Sequence, residues 1–322
     1  MRTLFIPYCG MTMVNHILNL RRSGVALLIL LSTVSCGSEN TEASSSIPPL
    51  KLMTALPING PDDNQPSGLT LHEDQLLTVS DKNETTIYVL DVGDQVVTQR
   101  PLHSFDPDTL PGKSSHLDLE GITSDGDQLL LASETHFRVL RFNEGLVSWA
   151  TPALREIGGQ VGLYATRGAG IEALVLLQDQ IIVSSERQPR GLVIVSTKTG
   201  AAEALEMDDT RFPPPSNRSP DFTGLTVFDN RLFVLQRNAH VVSELIRDED
   251  GVWREGDGFQ YAHVEQAPAY AYTNQRFGIA EGIAMDQDWI YIILDNNFDA
   301  RVADEDDRRP QLLIFENPYG QQ

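Results

Sequence analysis

Leu119-Glu120-Gly121-Ile122-Thr123-Ser124-Asp125-Gly126-Asp127-Gln128-Leu129-Leu130-Leu131-Ala132-Ser133 is the stretch that decides the architecture. It opens on an acid and a small residue, turns at Ser124-Asp125-Gly126-Asp127 and returns through an apolar run. That is the pattern of two antiparallel strands joined by a tight turn. The opening phrase recurs as Ser67-Gly68-Leu69-Thr70, Glu172-Ala173-Leu174-Val175, Thr223-Gly224-Leu225-Thr226 and Glu281-Gly282-Ile283-Ala284. Its small residues stand at 68, 121, 173, 224 and 282, in steps of 53, 52, 51 and 58. Each return run ends 12 residues after its small residue, at Ser80, Ser133, Ser185, Gln236 and Leu294. A constant long period with constant inner spacing marks a repeat fold.

Beyond the return run, Phe137-Arg138-Val139-Leu140-Arg141-Phe142 alternates apolar and polar residues, as a half-buried strand does. Ile87–Leu90, Leu192–Val195, Val241–Leu245 and Leu312–Phe315 are its counterparts. No segment of similar length shows a capped helical period. The expectation is an all-β chain, a five-bladed β-propeller of four-stranded antiparallel blades, which solves the edge problem of such repeats. A sixth blade would follow if residues 143–168 or 246–276 held one. Lys51–Leu56 is expected to add a strand to the last blade and close the ring.

The ends read differently. Arg21-Arg22, the apolar run Gly24–Leu31 and the small residues up to Ser35 form a secretory signal over 1–35, too short to remain as a membrane helix. Thr33-Val34-Ser35-Cys36 resembles a bacterial lipobox, which makes Cys36 the lipidated first residue of the mature chain. An ordinary signal that happens to carry a cysteine is the alternative. The only other cysteine, Cys9, lies in the discarded segment, so no disulfide is available. Residues 36–50 read as a lipidated flexible tether and 51–318 as one propeller domain. With Gly37 after the cysteine, the expected location is the bacterial outer membrane, the domain facing the periplasm or the cell surface.

Residues 1–35 hold Arg2, Arg21 and Arg22 and no acid, so without them the formal charge falls from −21 to −24. Such a surface repels nucleic acid and anionic headgroups, which leaves the N-terminal lipid as the sole membrane contact. Nothing in the pattern calls for more than a monomer.

If the two strands of each hairpin pair regularly, the residue before each small residue neighbours the one just after the return run. Those pairs are Ser67 with Asp81, Glu120 with Glu134, Glu172 with Glu186, Thr223 with Arg237, and Glu281 with Asp295. Three of the five hairpins then aim two carboxylates at one mouth of the central channel. Convergent carboxylates suit a hard cation, Ca2+, with Glu120, Glu172, Glu281 and Asp295 as ligands. Glu134 or Glu186 would serve as the base of a hydrolysis. Lys82, Arg187, Arg237, Asn296 and Asn297 would hold a small ester or phosphate ligand. Arg190 and Arg276 are further basic groups expected on this rim. The bland reading stands beside this one: a Glu in this position can latch neighbouring blades through backbone amides, and the glycines relieve crowding at the axis. The histidines show no metal-ligand spacing, and no nucleophile elbow, phosphate-cradling glycine loop or CxxC is present.

Arg276-Phe277-Gly278-Ile279-Ala280-Glu281-Gly282-Ile283-Ala284, Ile293-Leu294-Asp295-Asn296-Asn297, Arg308–Phe315, Leu119–Ile122 and Ser185-Glu186-Arg187-Gln188-Pro189-Arg190 together resemble the phytase-like propellers (esterase-like activity of phytase), over roughly 60–318. The SdiA-regulated periplasmic propellers are similar in the Ser-Gly-Leu and Glu-Gly-Ile phrases. The resemblance implies ester or phosphoester hydrolysis. The combined expectation is a lipid-anchored, calcium-dependent hydrolase of phosphate or carboxylic esters, with a non-catalytic ligand- or protein-binding scaffold as the alternative.

Overall fold

The computed structural model describes residues 47–61, 65–111, 116–126 and 128–320. The signal segment, Cys36 and most of the expected tether lie outside the described residues. Each opening phrase begins a four-stranded set, the last of which borrows its fourth strand from the start of the domain. The first set is β2 (Pro66–His72), β3 (Gln75–Ser80), β4 (Thr86–Val92) and β5 (Val97–Ser104), after a leading β1 (Leu52–Asn59). The second is β6 (Leu119–Asp125), β7 (Gln128–Ser133), β8 (Arg138–Asn143) and β9 (Leu146–Trp149). The third is β10 (Ile171–Leu177), β11 (Gln180–Ser185), β12 (Gly191–Ser196) and β13 (Ala202–Glu206). The fourth is β14 (Gly224–Phe228), β15 (Arg231–Gln236), β16 (Val241–Arg247) and β17 (Trp253–Gln260). The last is β18 (Ala280–Met285), β19 (Trp289–Leu294) and β20 (Gln311–Glu316), and β1 pairs antiparallel with β20 to complete it.

The chain is therefore all-β, built of four-stranded antiparallel sheets in the manner of a β-propeller. β1 also meets β5 through two parallel residue pairs, Ile58 with Val97 and Asn59 with Thr98, which link the first and last sets into one eight-stranded sheet. Residues 143–168 and 246–276 hold only β9, β17, and two short helices at Arg155–Gly159 and Ala262–Glu265 among the described residues.

The first strands of the sets meet one another around an axis: β2 meets β6 and β18, β10 meets β6 and β14, and β14 meets β18. The small residues of the repeated phrase make this closure sterically feasible. A Cβ on Gly68 would stand 2.7 Å from the Gly121 Cα, and one on Gly121 would stand 2.9 Å from the Ala173 Cα. Real side chains need more room than that, so these positions hold nothing larger without backbone movement. Strands further from the axis are buried on both faces where they read as continuous apolar runs, as in Ile181-Ile182-Val183 and Leu192-Val193-Ile194-Val195. Each fully buried Leu, Ile or Val there contributes about 1.5–3 kcal/mol.

Two boundaries shift from expectation. Residues 48–50 belong to the folded part of the chain. Gln260 donates to the Pro48 carbonyl at 2.8 Å, the Leu50 N–H donates back to Gln260 at 2.9 Å, and Leu50 is 2 % exposed. An apolar Leu beside an open strand edge gains more from docking than from solvent. At the other end, Tyr319 is buried against Phe233 and Phe259.

Candidate active site at one mouth of the ring

Regular pairing fails just where the acids sit. In β6, Leu119 pairs with Ser133 and Gly121 with Ala132, so Glu120 is the extra residue of a β-bulge. Bulges also fall at Glu281 in β18, at Glu172-Ala173 in β10 and at Ser67-Gly68 in β2. A bulge takes its residue out of the ladder and re-aims its side chain. It also shifts every pair beyond it, so the expected pairing of Glu120 with Glu134 and its counterparts is corrected. Glu134 donates its backbone N–H to the Asp118 carbonyl at 2.9 Å, Glu186 to Gly170 at 3.1 Å and Asp295 to Ile279 at 2.9 Å. In the fourth hairpin, the Thr223 hydroxyl donates to the Ala280 carbonyl at 2.8 Å and latches β14 to β18.

The first and second hairpins bring Asp81, Asp118 and Glu120 together, with one carboxylate oxygen of each within 4.8 Å of the others. Asp118 has a backbone φ of 54°, a strained conformation for a residue with a side chain. The Leu117–Glu120 run explains its placement. Leu117 and Leu119 are 0 % exposed, whereas Asp118 and Glu120 keep partial exposure, the positive φ of the first and the bulge at the second turning both away from the apolar layer. Burial pushes Glu120 well above the ordinary carboxylate range, and the negative charges of Asp118, Glu281, Glu134 and Asp81 add to it. Asp81 is raised by burial and partly relieved by Lys82, with which it forms an ion pair. Burial works against the charge of Lys82, but Asp81, Asp118 and Asp295 outweigh it and hold the ammonium above its usual value. Glu134 is raised to about 7, first by burial and then by a hydrogen bond shared with the Asp118 carboxyl. An all-oxygen cluster of mutually repelling acids, with no histidine or cysteine among them, fits a hard divalent cation. Such an ion would hold Asp81, Asp118 and Glu120 ionised together.

The third, fourth and last hairpins build a different arrangement. Arg237 forms ion pairs with Glu281 and Glu186, and its Nε lies 3.3 Å from Asp221 Oδ2. Glu186 also pairs with Arg187 and is 2 % exposed. Asp221 is fully buried and accepts from the Asn238 N–H at 3.1 Å. Burial opposes the charge on Arg237, but Glu281, Asp221 and Glu172 overcome it, so the guanidinium is held above its already high range. Arg187 is lowered by burial and by its neighbour Arg237. Glu172, buried in β10, is raised well above its usual range by burial and by Glu120. Glu281 is raised by burial and pulled back by Arg237.

Of the proposed ligands, then, Glu120 joins the tight acid group, while Glu281 faces an arginine and Glu172 lies between the two. Asp295 accepts from the Asn297 N–H at 2.9 Å and is raised to about 7, chiefly by burial. Asn296 spends its amide on the Asp299 and Arg308 carbonyls at 2.7 and 2.8 Å, fixing its own loop, and Asn297 stands exposed beside it. Glu186 is committed to two arginines, so Glu134 is the carboxyl left to move a proton. Arg190 is not on the rim: it is 0 % exposed, with its guanidinium 4.2 Å over Phe222 and bonded to Gln236 and Glu255. Asp118 and Asp221 are the groups that sequence reasoning missed. The Leu-Asp-Leu-Glu alternation was the signal for the first.

A larger cavity, about 740 Å³, opens elsewhere, between β3–β4 and β19–β20. Two of its three acids are engaged, Asp91 with Arg100 and Asp286 with the Trp289 N–H and the Tyr291 hydroxyl, and the third, Asp74, is exposed to solvent. It lacks the unsatisfied charge that marks the ring mouth.

A family model described as the esterase-like activity of phytase matches residues 65–298. This chain belongs to the phytase-like family. Among solved structures, the phytase-like chain is similar to the glutaminyl cyclase of Myxococcus xanthus, at 14 % identity and a TM-score of 0.50, with 84 % of this chain and 99 % of that one covered. It is also similar to the PQQ-bound aldose sugar dehydrogenase of Streptomyces coelicolor, at 11 % identity and a TM-score of 0.44, covering 83 % and 97 %. At such identities the likeness to the cyclase is one of fold alone. No curated protein matches the chain significantly.

Proposed function

We propose that this phytase-like propeller is a hydrolase of phosphate or carboxylic esters that works at a Ca2+ ion held by Asp81, Asp118 and Glu120. The observation that carries the reading is the convergence of those three carboxylates beside a fourth, Glu134, which hydrogen-bonds to Asp118 and titrates near neutrality. A bound cation would supply Lewis acidity toward the ester oxygen. Glu134 takes the proton of the attacking water, whose oxygen bonds to the phosphorus or carbonyl carbon. The ester bond to the leaving oxygen breaks, and the departing alkoxide is protonated by the same carboxyl or by solvent. Lys82, Arg187 and Asn297 flank the mouth and can steer an anionic substrate toward it.

For Glu281 and Glu186 the Arg237 pairing favours the structural reading, a latch across sheets rather than a ligand set. The closed set of inner strands supports five blades. Lipidation at Cys36, an outer-membrane location with the domain facing the periplasm or cell surface, and a monomeric state complete the proposal, and they rest on the sequence alone.

The test is thermal melting with Ca2+ and with EGTA, alongside a screen of phosphomonoesters, phytate and short acyl esters. The expected result is a calcium-dependent upward shift, abolished in Glu120→Gln, with turnover on at least one ester class. A melt indifferent to Ca2+ would remove the metal, and no turnover on any ester would move the weight to a non-catalytic binding propeller.

A further inference from the structure

Next to Glu134 lies a cavity of about 290 Å³ lined by Phe137, Arg155, Tyr164, Arg167 and Gly170. Glu134 reaches it because residue 170 is glycine. The Gly170 N–H donates to the Glu134 carboxylate, and a Cβ there would stand 2.6 Å from Glu134 Oε1. Two guanidiniums face this space. Arg155 lies 4.6 Å over the Phe137 ring, and neither it nor Arg167 is paired with an acid among the described residues. Tyr164 is 5 % exposed, yet its hydroxyl has no hydrogen-bond partner among the described residues. Its backbone φ of 63° is one that a bulky residue rarely adopts, so the ring is held there by its surroundings. The loop carrying Arg167 is tied to the arginine side of the ring, where Arg187 donates to the Gly168 carbonyl at 3.1 Å.

Two unpaired guanidiniums lining a small cavity form an oxyanion receptor. We propose that this pocket binds the oxyanion of a small ester substrate, a phosphate or carboxylate group, through Arg155 and Arg167. The volume admits a ligand of roughly a dozen heavy atoms. It places the bound group beside the one carboxyl that also touches the acid cluster. The inference rests on the proposed hydrolase for the fate of the ligand, but not for its binding.

Calorimetric titration of the purified full chain with inorganic phosphate and with acetate, at constant ionic strength set by chloride, tests this directly. Wild type is expected to bind one of the two saturably, and the responding anion names the oxyanion. Both arginines are exposed, so Arg155→Gln/Arg167→Gln leaves the core intact, and it is expected to weaken binding at least about tenfold. The calcium-dependent melting shift should survive in the double variant. Equal affinity in wild type and double variant, or a response no different from chloride, would overturn the pocket. Loss of the calcium shift in wild type with anion binding intact would instead strike the metal centre and leave the pocket standing.

Discussion

Glu281, Asp221 and Glu186 converge on the guanidinium of Arg237, whereas Asp81, Asp118 and Glu120, drawn from neighbouring hairpins of the same ring, converge on one another, with Lys82 paired to Asp81 and the His116 ring 4.0 Å from Asp118. The backbone devices are shared: an inner strand, a small residue against the axis and, in four of the five hairpins, a bulge in the strand register. The difference lies in the residue just after the return strand. The fourth hairpin puts Arg237 there, and the second puts Glu134. One side of the mouth is thereby neutralised from within the protein, and the other is left with negative charge that an external cation can satisfy. Buried acids with a partner hold a structure together; buried acids without one are a binding site or a cost.

The largest effect is expected from breaking the neutralised side. Arg237→Met leaves Glu186, Asp221 and Glu281 uncompensated, and should destabilise the fold by about 3–5 kcal/mol in chemical denaturation. A loss no greater than that of an ordinary surface substitution would show that these acids do not depend on the arginine. Gly68→Ala separates shape from charge. It forces a methyl against the Gly121 Cα on a strand that serves both sides, and is expected to cost about 1–3 kcal/mol with or without Ca2+.

Asp118→Asn should act with the opposite sign to Arg237→Met. Removing one of the clustered charges is expected to stabilise the metal-free protein by about 1 kcal/mol while abolishing the calcium-dependent shift in melting. Destabilisation in EGTA would contradict the reading of mutual repulsion. A pH slope tests the acid side directly. Glu134 and Asp295 titrate near 7 in the folded protein, against 4.5 and 3.8 as ordinary values, so between those limits the folded chain holds protons that the unfolded chain releases. Stability in EGTA should therefore fall as pH rises from about 5 to about 8, and flatten above the folded values. Denaturation midpoints across that range would show it, and a rising midpoint would reverse the sign assigned to these two groups.

Much of the fold was legible because its cause is local and repeated. Period-2 alternation, Asp/Asn/Gly turns and a fixed 12-residue return are properties of neighbouring residues, and the crowding at Gly68 and Gly121 is what the repeated small residue had implied. The docking of Pro48–Leu50 on β17 was not legible, since it joins segments roughly 200 residues apart in the chain. The site was half legible. Glu120 and Glu134 were marked by the repeat, but counting pairs from a regular hairpin gave each the wrong partner, because a bulge leaves the spacing along the chain unchanged while shifting the register across it. Arg190, placed on the rim by its distance from Ser185, turns inward to Phe222 and Glu255.

The sequence by itself determined the repeated hairpin, the all-β architecture and the concentration of carboxylates at one end of the inner strands. These follow from side-chain size, polarity and order along the chain. Which carboxylates meet an arginine and which meet one another was decided only by the tertiary structure. That pairing depends on where strands from different repeats face each other around the axis, and electrostatic interaction is set by distance in space, not by separation in sequence.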